Sequence, residues 1–210
     1  MPKVIPEYKE QARKRILATA ADVFAQRGYH EATMDEVANA IGVSKGAVYQ
    51  YFKSKEELFQ ELCLINASEL EEALRSGFVG GDFRKVAEGH MDAELERHSL
   101  GRALLMFESL AEAPRNLVLQ KMVGEVDETY VEIISNFIDR LKDEGKITRE
   151  ADSTSVARVV VALRHGVIVS VMCGLGTAEA KKVWMAGIDA LIQDQHHPRG
   201  PTRRDDKAHG

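Results

Sequence analysis

The sequence predicts an all-α protein, and three observations support this prediction. Along most of the 210 residues, apolar side chains recur at every third or fourth position, which is the period of an amphipathic helix. Ser, Thr and Asp residues suited to begin helices, and Gly residues suited to end them, separate these segments. Runs of alternating apolar and polar residues, which would indicate strands, are better explained as helices throughout.

Composition limits the class of protein. The chain is 44% hydrophobic and 29% charged, which is typical of a globular domain and not of a disordered one. Its two cysteines, Cys63 and Cys173, lie far apart and lack the spacing of a metal site or a disulfide scaffold. Residues 1–10 carry charges and prolines where a signal peptide would need an apolar core. We therefore expect a cytoplasmic protein with no cofactor.

The first predicted helix runs from Lys9 to Arg27 and ends at Gly28, after a short polar arm. Its apolar positions, spaced by three and four residues, are Ile16, Ala20, Val23 and Phe24. The basic cluster Arg13-Lys14-Arg15 lies near its start. This cluster is equally well explained as a contact for a DNA backbone or as a solvated basic face.

The next segment, residues 33–55, predicts two short helices joined by a tight turn and followed by a third. Thr33 and Glu36 have the spacing of a capping box, and Gly42 falls where the chain must turn. Ser44 is a second N-cap that opens the second short helix. This order is the helix-turn-helix arrangement, whose second helix enters the DNA major groove.

The side chains of that second helix suit a polar surface. Val48 and Phe52 are placed to face inward, while Gly46 permits close approach of another backbone. The polar side chains are Ser44, Lys45, Tyr49, Gln50 and Tyr51. The alternative is an ordinary helical hairpin with tyrosines on its surface. Charge does not decide between them: the net charge is −5, but bases slightly outnumber acids in the first sixty residues.

The run TMDEVANAIGVSKGAVYQYFKSKEELF, from Thr33 to Phe59, resembles the tetracycline-repressor (TetR) family of transcriptional regulators. The resemblance covers the N-terminal part of the chain, and beyond it only length and helical texture are similar. It implies an N-terminal three-helix DNA-binding domain and a larger helical domain for ligand binding and dimerisation. It also implies that the partners are a double-stranded DNA operator, a second copy of the chain and a small-molecule inducer of unknown identity.

The resemblance also implies roles for individual residues at the DNA. The residues expected to contact phosphate or the DNA backbone are Thr33, Tyr49, Tyr51 and Lys55. Ser44, Lys45 and Gly46 match the start of the recognition helix, with Gly46 near bases. Gln50 matches a variable base-reading position, and its amide can pair with adenine.

Helices are expected for the rest of the chain. Their expected ranges are Ser54–Arg75, Phe83–His98, Leu100–Ala113, Pro114–Glu144, Asp152–Cys173 and Thr177–Ile192. The first of them, helix 54–75, would connect a DNA-binding domain at residues 1–64 with a ligand-binding and dimerisation domain at residues 65–195. The polar tail at residues 196–210 is expected to be disordered.

The segment Val156–Gly176 is apolar on nearly every face. A membrane span is one explanation, but Arg158, Arg164 and His165 interrupt the segment, so we expect no membrane contact. The preferred explanation is a helix packed on its own domain and on a second subunit. With the last helix it would form a two-fold interface, as the resemblance also implies. The predicted interface residues are Val159, Ala162, Gly166, Val169, Trp184, Ile188 and Leu191.

The inducer site is less clear from the sequence. Its predicted residues are Ile65, Met91, Arg102, Met106, Phe107, Met122, Val126, Tyr130 and His165, with Trp184 as a further candidate for the wall. Each apolar member could equally belong to an ordinary core. A mostly apolar inducer, such as a lipid, an acyl-CoA or a drug-like compound, is expected to release the DNA.

Two other classes of function are a metal-responsive regulator and an enzyme. His90, Glu94 and His98 recur every four residues, so one helix face could bind Zn²⁺ and make the regulator metal-responsive, although a solvated polar face is the simpler explanation. An enzyme is disfavoured because no catalytic triad order, phosphate-binding glycine loop or paired carboxylate motif is present.

Overall fold

The computed structural model describes residues 6–77, 83–145 and 152–193. These residues form nine α-helices and one 3₁₀ turn, and they contain no strand, so the predicted all-α fold is confirmed. The helices are α1 (Pro6–Glu31), α2 (Met34–Ile41), α3 (Lys45–Tyr49), α4 (Lys55–Gly77), α5 (Phe83–Leu95), α6 (Arg97–Glu112), α7 (Leu117–Asp143), α8 (Ser153–Met172) and α9 (Thr177–Gln193).

The helix-turn-helix at α2 and α3 is built as its caps predict. The Thr33 hydroxyl accepts from the Glu36 N–H at 3.2 Å, and the Glu36 carboxylate accepts from the Thr33 N–H at 3.0 Å. Gly42 ends α2 with φ +79°, a left-handed conformation that strains any residue with a Cβ. Val43, the residue that follows Gly42 in the turn, is 38% exposed.

Helix α1 is broken near its end. Gly28 has φ 78° and ψ 166°, and a last helical turn follows it, ending at Glu31. The prediction that Gly28 stops the helix is therefore correct for the long segment before it. The backbone angles favour glycine, and a Cβ built on Gly28 would lie 2.9 Å from a carboxylate oxygen of Glu108 in α6, which would have to move.

Helix α4 connects the helix-turn-helix to the remaining helices. Its 23 residues make it roughly 35 Å long. Leu58 near its start and Leu70 and Leu74 near its end are all buried, and they belong to one apolar core that extends from α1 to α8. The core is thus continuous along α4.

Two predicted helix boundaries are wrong. Glu96 has an extended backbone, with φ −61° and ψ 146°, so α5 ends at Leu95 and α6 begins at Arg97. Pro114 lies in the 3₁₀ turn instead of in the long helix, and Asn116 caps α7 by accepting from two backbone N–H groups. Leu117 is the first residue of α7 and is 80% exposed.

Helices α8 and α9 pack closely against each other at Gly187, where a Cβ would collide with the Leu163 side chain. By length and composition alone, α8 is apolar enough to cross a membrane. Two of its charged side chains, however, pair with other helices: Arg158 with Glu128 at 2.9 Å and Arg164 with Glu94 at 2.8 Å. These ion pairs favour its place in the helical bundle.

Replacing Gly42 by Ala should destabilise the protein by about 1 kcal/mol, because alanine is strained at positive φ. Gly46→Ala is the matched control, since Gly46 is helical and open space surrounds its Cβ position. Chemical denaturation at one fixed protein concentration would measure both free energies of unfolding. Equal stability of the two variants would contradict the assigned role of the turn.

Candidate nucleic-acid interface and interior cavity

Helix α3 presents a polar outer face and an apolar inner face. Val48 and Phe52 are fully buried beneath it. The residues of the outer face are all exposed: Ser44, Lys45, Gly46, Tyr49 and Gln50. The Ser44 hydroxyl caps the helix by accepting from the Ala47 N–H at 3.3 Å. The caps therefore fix the helix, and the exposed side chains are left to contact another molecule.

Lys45 is held on this face by contacts within the helix-turn-helix. Its Nζ lies 2.9 Å from the carboxylate of Asp35 in α2 and 5.8 Å from the ring centroid of Tyr49. The hydrogen bond to Asp35 raises the pKa of Lys45, so the side chain carries its charge at neutral pH. The ammonium and the Tyr49 ring thus form one exposed polar group.

Gly46 is not required by internal packing. Its φ is ordinary for a helix, and no other atom lies within 4 Å of a Cβ built on it. A side chain would therefore fit the isolated protein at this exposed position. The absence of a side chain keeps this face of α3 flat, which suits close approach to a groove.

Two other residues predicted to contact DNA are partly engaged inside the protein. Lys55 donates to the carbonyl of Tyr29 at 2.8 Å and to that of His30 at 3.0 Å, and its Nζ lies 4.6 Å from the Tyr29 ring centroid. Burial lowers the pKa of Lys55. Tyr51 is half-buried against the core. Contacts of Lys55 and Tyr51 with phosphate stay predictions.

The basic cluster near the start of α1 is partly internal. Arg13 lies 4.5 Å from the ring centroid of Phe52 and forms an ion pair with Glu61 of α4. Arg15 donates to the carbonyl of Ile41 at 3.1 Å. Arg13 is therefore neither a free contact for a DNA backbone nor part of a solvated basic face. Its side chain connects α1 with α4 and with Phe52, which follows α3.

A cavity of about 100 Å³ lies between α4, α5, α7, α8 and α9. Most of its lining residues are apolar; those with polar side-chain atoms are His90, Tyr130, Arg164 and Trp184. The part of the wall that contains His90 and Arg164 is called the polar end below. The lining residues are Leu70, Leu74, Val86, Ala87, His90, Tyr130, Ile134, Phe137, Ile138, Leu141, Val156, Val160, Val161, Arg164, Trp184, Ile188 and Leu191.

The polar end of the cavity is organised by Arg164. Its Nη1 lies 2.8 Å from the Glu94 carboxylate, and both side chains are largely buried, at 12% and 15% exposed. Its guanidinium carbon lies 5.0 Å from the ring centroid of Tyr130. Within the described part of the chain, Arg164 Nε and His90 Nε2 are buried without a hydrogen-bond partner.

Both histidines near Arg164 are neutral at physiological pH. Burial lowers the pKa of His90; the Glu94 carboxylate opposes this shift and the Arg164 charge adds to it. Burial also lowers the pKa of His165, again with a contribution from Arg164. The Arg164–Glu94 pair is therefore flanked by neutral imidazoles.

A smaller cavity of about 50 Å³ adjoins the same groups. Tyr130 and Arg164 border both cavities, while Ala21 of α1 and Phe59 of α4 line only the smaller one. The polar end of the larger cavity thus faces, on its other side, the helices that carry the helix-turn-helix.

The predicted inducer residues are distributed over several places. Tyr130 lines both cavities, Met106 the smaller one and Trp184 the larger one. Ile65 is 42% exposed on α4 and faces away from both cavities. The remaining members line neither cavity: Met91, Met122 and Val126 are buried in the core, and Phe107 packs on His165 with ring centroids 6.0 Å apart. The side chain of Arg102 lies outside the described residues.

Most of the cavity lining was missed from the sequence. Phe137, Ile138 and Leu141 recur at helical spacing within the predicted helix Pro114–Glu144, and they line the cavity. The spacing of such residues identifies a buried face, but it cannot separate a packed core from a hollow one. A charged residue inside an apolar run, as at Arg164, was the available signal for the polar end.

The proposed metal-binding face does not form. Because α5 ends at Leu95, His98 belongs to the next helix, and its side chain lies outside the described residues. Glu94 is paired with Arg164, and His90 lines the cavity. Among the described residues, no three His, Cys, Asp or Glu side chains group in a way that could hold a metal ion.

The face predicted for dimerisation is only partly exposed. Val159, Ala162, Gly166 and Val169 form an exposed stripe along α8. On α9 the prediction was wrong for Trp184 and Ile188, which are buried inside the chain, and Leu191 lines the cavity. Exposed small or apolar residues of α9 include Val183, Ala186 and Ala190.

One hydrogen bond joins α6 to the break in α1. The Tyr29 N–H donates to the Glu108 carboxylate at 2.6 Å, and the same carboxylate packs on Gly28. The Tyr29 ring stacks on Phe24 and packs at a tilt on Phe59 in the core below. The end of α1 is thereby fixed to a helix that follows α4 and α5.

Comparisons with known proteins agree with this arrangement. The profile of bacterial regulatory proteins of the tetR family matches residues 16–62, the segment that contains α2 and α3. The HTH-type transcriptional regulator UidR of Escherichia coli K12 is 25% identical over 162 residues, which cover 77% of this chain and 82% of UidR. The HTH-type transcriptional activator FasR of Mycolicibacterium smegmatis is 28% identical over 159 residues, covering 74% of this chain and 70% of FasR.

The fold is also found in solved structures. The crystal structure of a TetR-family transcriptional regulator from Rhodococcus sp. superposes with a TM-score of 0.77 at 23% identity, covering 87% of this chain and 99% of that one. This likeness extends the shared fold over the helices that the profile does not match. Residues 16–62 thus match the tetR family of bacterial regulatory proteins, and the chain as a whole is similar in sequence to HTH-type transcriptional regulators and in fold to TetR-family regulators.

Proposed function

We propose that this chain is a cytoplasmic, ligand-responsive repressor that binds a palindromic DNA operator as a homodimer. The observation that carries the proposal is the exposed polar face of α3, fixed by two caps over the buried Val48 and Phe52. Residues 1–64 serve as the DNA-binding domain and residues 65–195 as the ligand-binding and dimerisation domain. The relatives are regulators and not enzymes, so no catalytic role is proposed.

At the operator, α3 lies in the major groove. Gln50 faces base edges, Gly46 permits close approach, and Tyr49 and Lys45 contact phosphates. Thr33, Ser44, Tyr51 and Lys55 add contacts to the DNA backbone. The Lys55 ammonium has three N–H donors, and its two carbonyl bonds leave one of them open. These contacts are what the side-chain chemistry and exposure support.

A dimer gives these contacts their specificity. The DNA-binding domains of two subunits reach successive major grooves only if they are held ~34 Å apart. The stripe of Val159, Ala162, Gly166 and Val169 on α8 is exposed in a helix whose composition is otherwise that of a core. Small residues at Ala162 and Gly166 permit two helices to approach closely, and the exposed residues of α9 extend the same face. We therefore assign the interface to α8 and α9 of both copies.

A small, mostly apolar effector fits the larger cavity. The cavity wall includes Leu70 and Leu74, which lie on the connecting helix α4. A ligand that forces this wall outward would shift α4 and hence the spacing of the two DNA-binding domains. Release of DNA requires only that the ligand binds the shifted state more tightly than the DNA-bound state.

The first test is fluorescence anisotropy of the protein on DNA from upstream of its own gene, with a scrambled duplex at matched salt. A preference of about a thousandfold for the upstream DNA would establish an operator. Equal, salt-sensitive binding to both duplexes would mean that the operator lies elsewhere. Absence of binding to either at low salt would contradict DNA binding. Placing the operator before a reporter gene then distinguishes repression from the activation that the name of FasR describes.

Two substitutions on α3 should weaken DNA binding in different ways. Lys45→Gln should weaken binding to all duplexes and reduce the salt slope of log K by about 1, because one phosphate contact is lost. Gln50→Ala should lower the preference for the operator and leave the salt slope unchanged. Lys121→Gln, at an exposed and ion-paired lysine of α7, is the control and should change neither. The same titrations over a range of salt concentrations would measure all three variants.

Placing a charge on the α8 stripe should separate the subunits. Ala162→Asp puts a carboxylate at an exposed position in the single chain, so folding is spared, while the proposed interface would bury it without a partner. We expect monomers by sedimentation velocity and weaker operator binding. Gln120→Asp, at an exposed position of α7, should remain dimeric. A dimeric Ala162→Asp variant would place the interface elsewhere.

A further inference from the structure

The polar end of the larger cavity restricts the chemistry of a ligand more than the apolar lining does. His90 Nε2 and Arg164 Nε are buried, and neither has a hydrogen-bond partner among the described residues. A buried donor without a partner costs about 1–3 kcal/mol. A molecule that supplies an acceptor there recovers this energy, while the surrounding walls accept only apolar atoms.

The net charge at this end disfavours an anion. The Arg164 guanidinium is neutralised by Glu94 at 2.8 Å, and burial keeps His90 neutral by lowering its pKa. A carboxylate entering the cavity would therefore add a buried charge without an available counter-ion. A neutral oxygen acceptor adds no charge and still accepts from both nitrogens.

We propose that the cavity binds a neutral, mostly apolar molecule with one carbonyl oxygen, which accepts hydrogen bonds from Arg164 Nε and from His90 in its Nε2–H tautomer. Ketones, esters and lactones belong to this class; fatty acids do not. The inference rests on the proposed function and specifies its effector. At about 100 Å³ the cavity is smaller than the ~150 Å³ cavity that holds benzene in another protein, so binding of a larger member displaces the wall formed by α4.

Three probes of equal heavy-atom count and similar shape test this chemistry. Acetophenone carries the neutral carbonyl, benzoate replaces its methyl group by a second oxygen and a charge, and cumene has no oxygen. Trp184 is the only tryptophan, lines the cavity, and donates its indole N–H to the carbonyl of Ala87 at 2.8 Å. Its single indole N–H signal in a ¹H–¹⁵N spectrum of the full chain reports each titration without DNA.

For the unmodified protein we expect acetophenone to bind about tenfold more tightly than cumene, since it satisfies two buried donors. Benzoate should bind more weakly than acetophenone. In His90→Leu the advantage of acetophenone over cumene should fall to about threefold or less, while cumene is unaffected. His90→Gln, which keeps a side-chain donor, should retain part of the advantage.

The control is Ile134→Val, which enlarges the cavity without altering its polar atoms, so the three affinities should change together. Arg164 is left in place because its removal would leave Glu94 buried without its ion pair. Circular dichroism and thermal unfolding would verify that each variant is folded.

Several results would overturn the inference. Tighter binding of benzoate would identify an anion site. Equal binding of cumene and acetophenone would show that the two nitrogens already have partners, such as a water molecule. Failure of all three probes to shift the Trp184 signal at millimolar concentration, in a folded protein, would exclude this class of ligand.

The consequences for the proposed function are measured separately, by adding each probe to the protein–operator complex. Carbonyl-selective binding without release of DNA would retain the ligand class and contradict its role as an effector. Release of DNA by a compound of another class would support a ligand-responsive regulator but contradict the proposed class of ligand.

Discussion

The contact between Glu108 and the broken end of α1 is the constraint on which the rest of the structure depends. Gly28 has backbone angles that only glycine adopts easily, and it leaves space that the Glu108 carboxylate fills. The carboxylate accepts a hydrogen bond from the Tyr29 N–H, and Lys55 donates one to the Tyr29 carbonyl. The end of α1 is therefore held from the helical body and from the start of α4 at once, and this fixes the position of α3.

Local features of the chain were predictable because they depend on residues close in sequence. The capping box of Thr33 and Glu36, the left-handed Gly42 and the Ser44 cap each use contacts within a few residues, and all are present. The burial of Val48 and Phe52 followed from the same register. The fold class was equally accessible, since the helical period of apolar residues does not depend on which helices meet.

Features that depend on which helices meet were not predictable. Trp184 and Ile188 have the spacing of an outer stripe, yet α5 packs over that side of α9 and buries them. The predicted metal-binding face of His90, Glu94 and His98 does not form, because the extended backbone of Glu96 ends α5. Neither a glycine nor a proline marks this break in the sequence. Glu94 then pairs with Arg164, which is seventy positions away in sequence and adjacent in space.

Arg164 links the two halves of the mechanism. It borders the larger cavity together with His90 and the smaller cavity together with Phe59, a residue of α4 that packs on the Tyr29 ring. A ligand atom in the larger cavity would therefore contact one side of the Arg164 side chain. The other side of Arg164 faces the smaller cavity, which is lined by residues of α1 and α4. The ion pair between Arg164 and Glu94 is mostly buried. If the guanidinium shifts, Glu94 must move with it, because a broken pair would leave a buried charge without a counter-ion. Under the proposed function, a small ligand at the polar end would shift the balance between a DNA-bound and a released arrangement of α4.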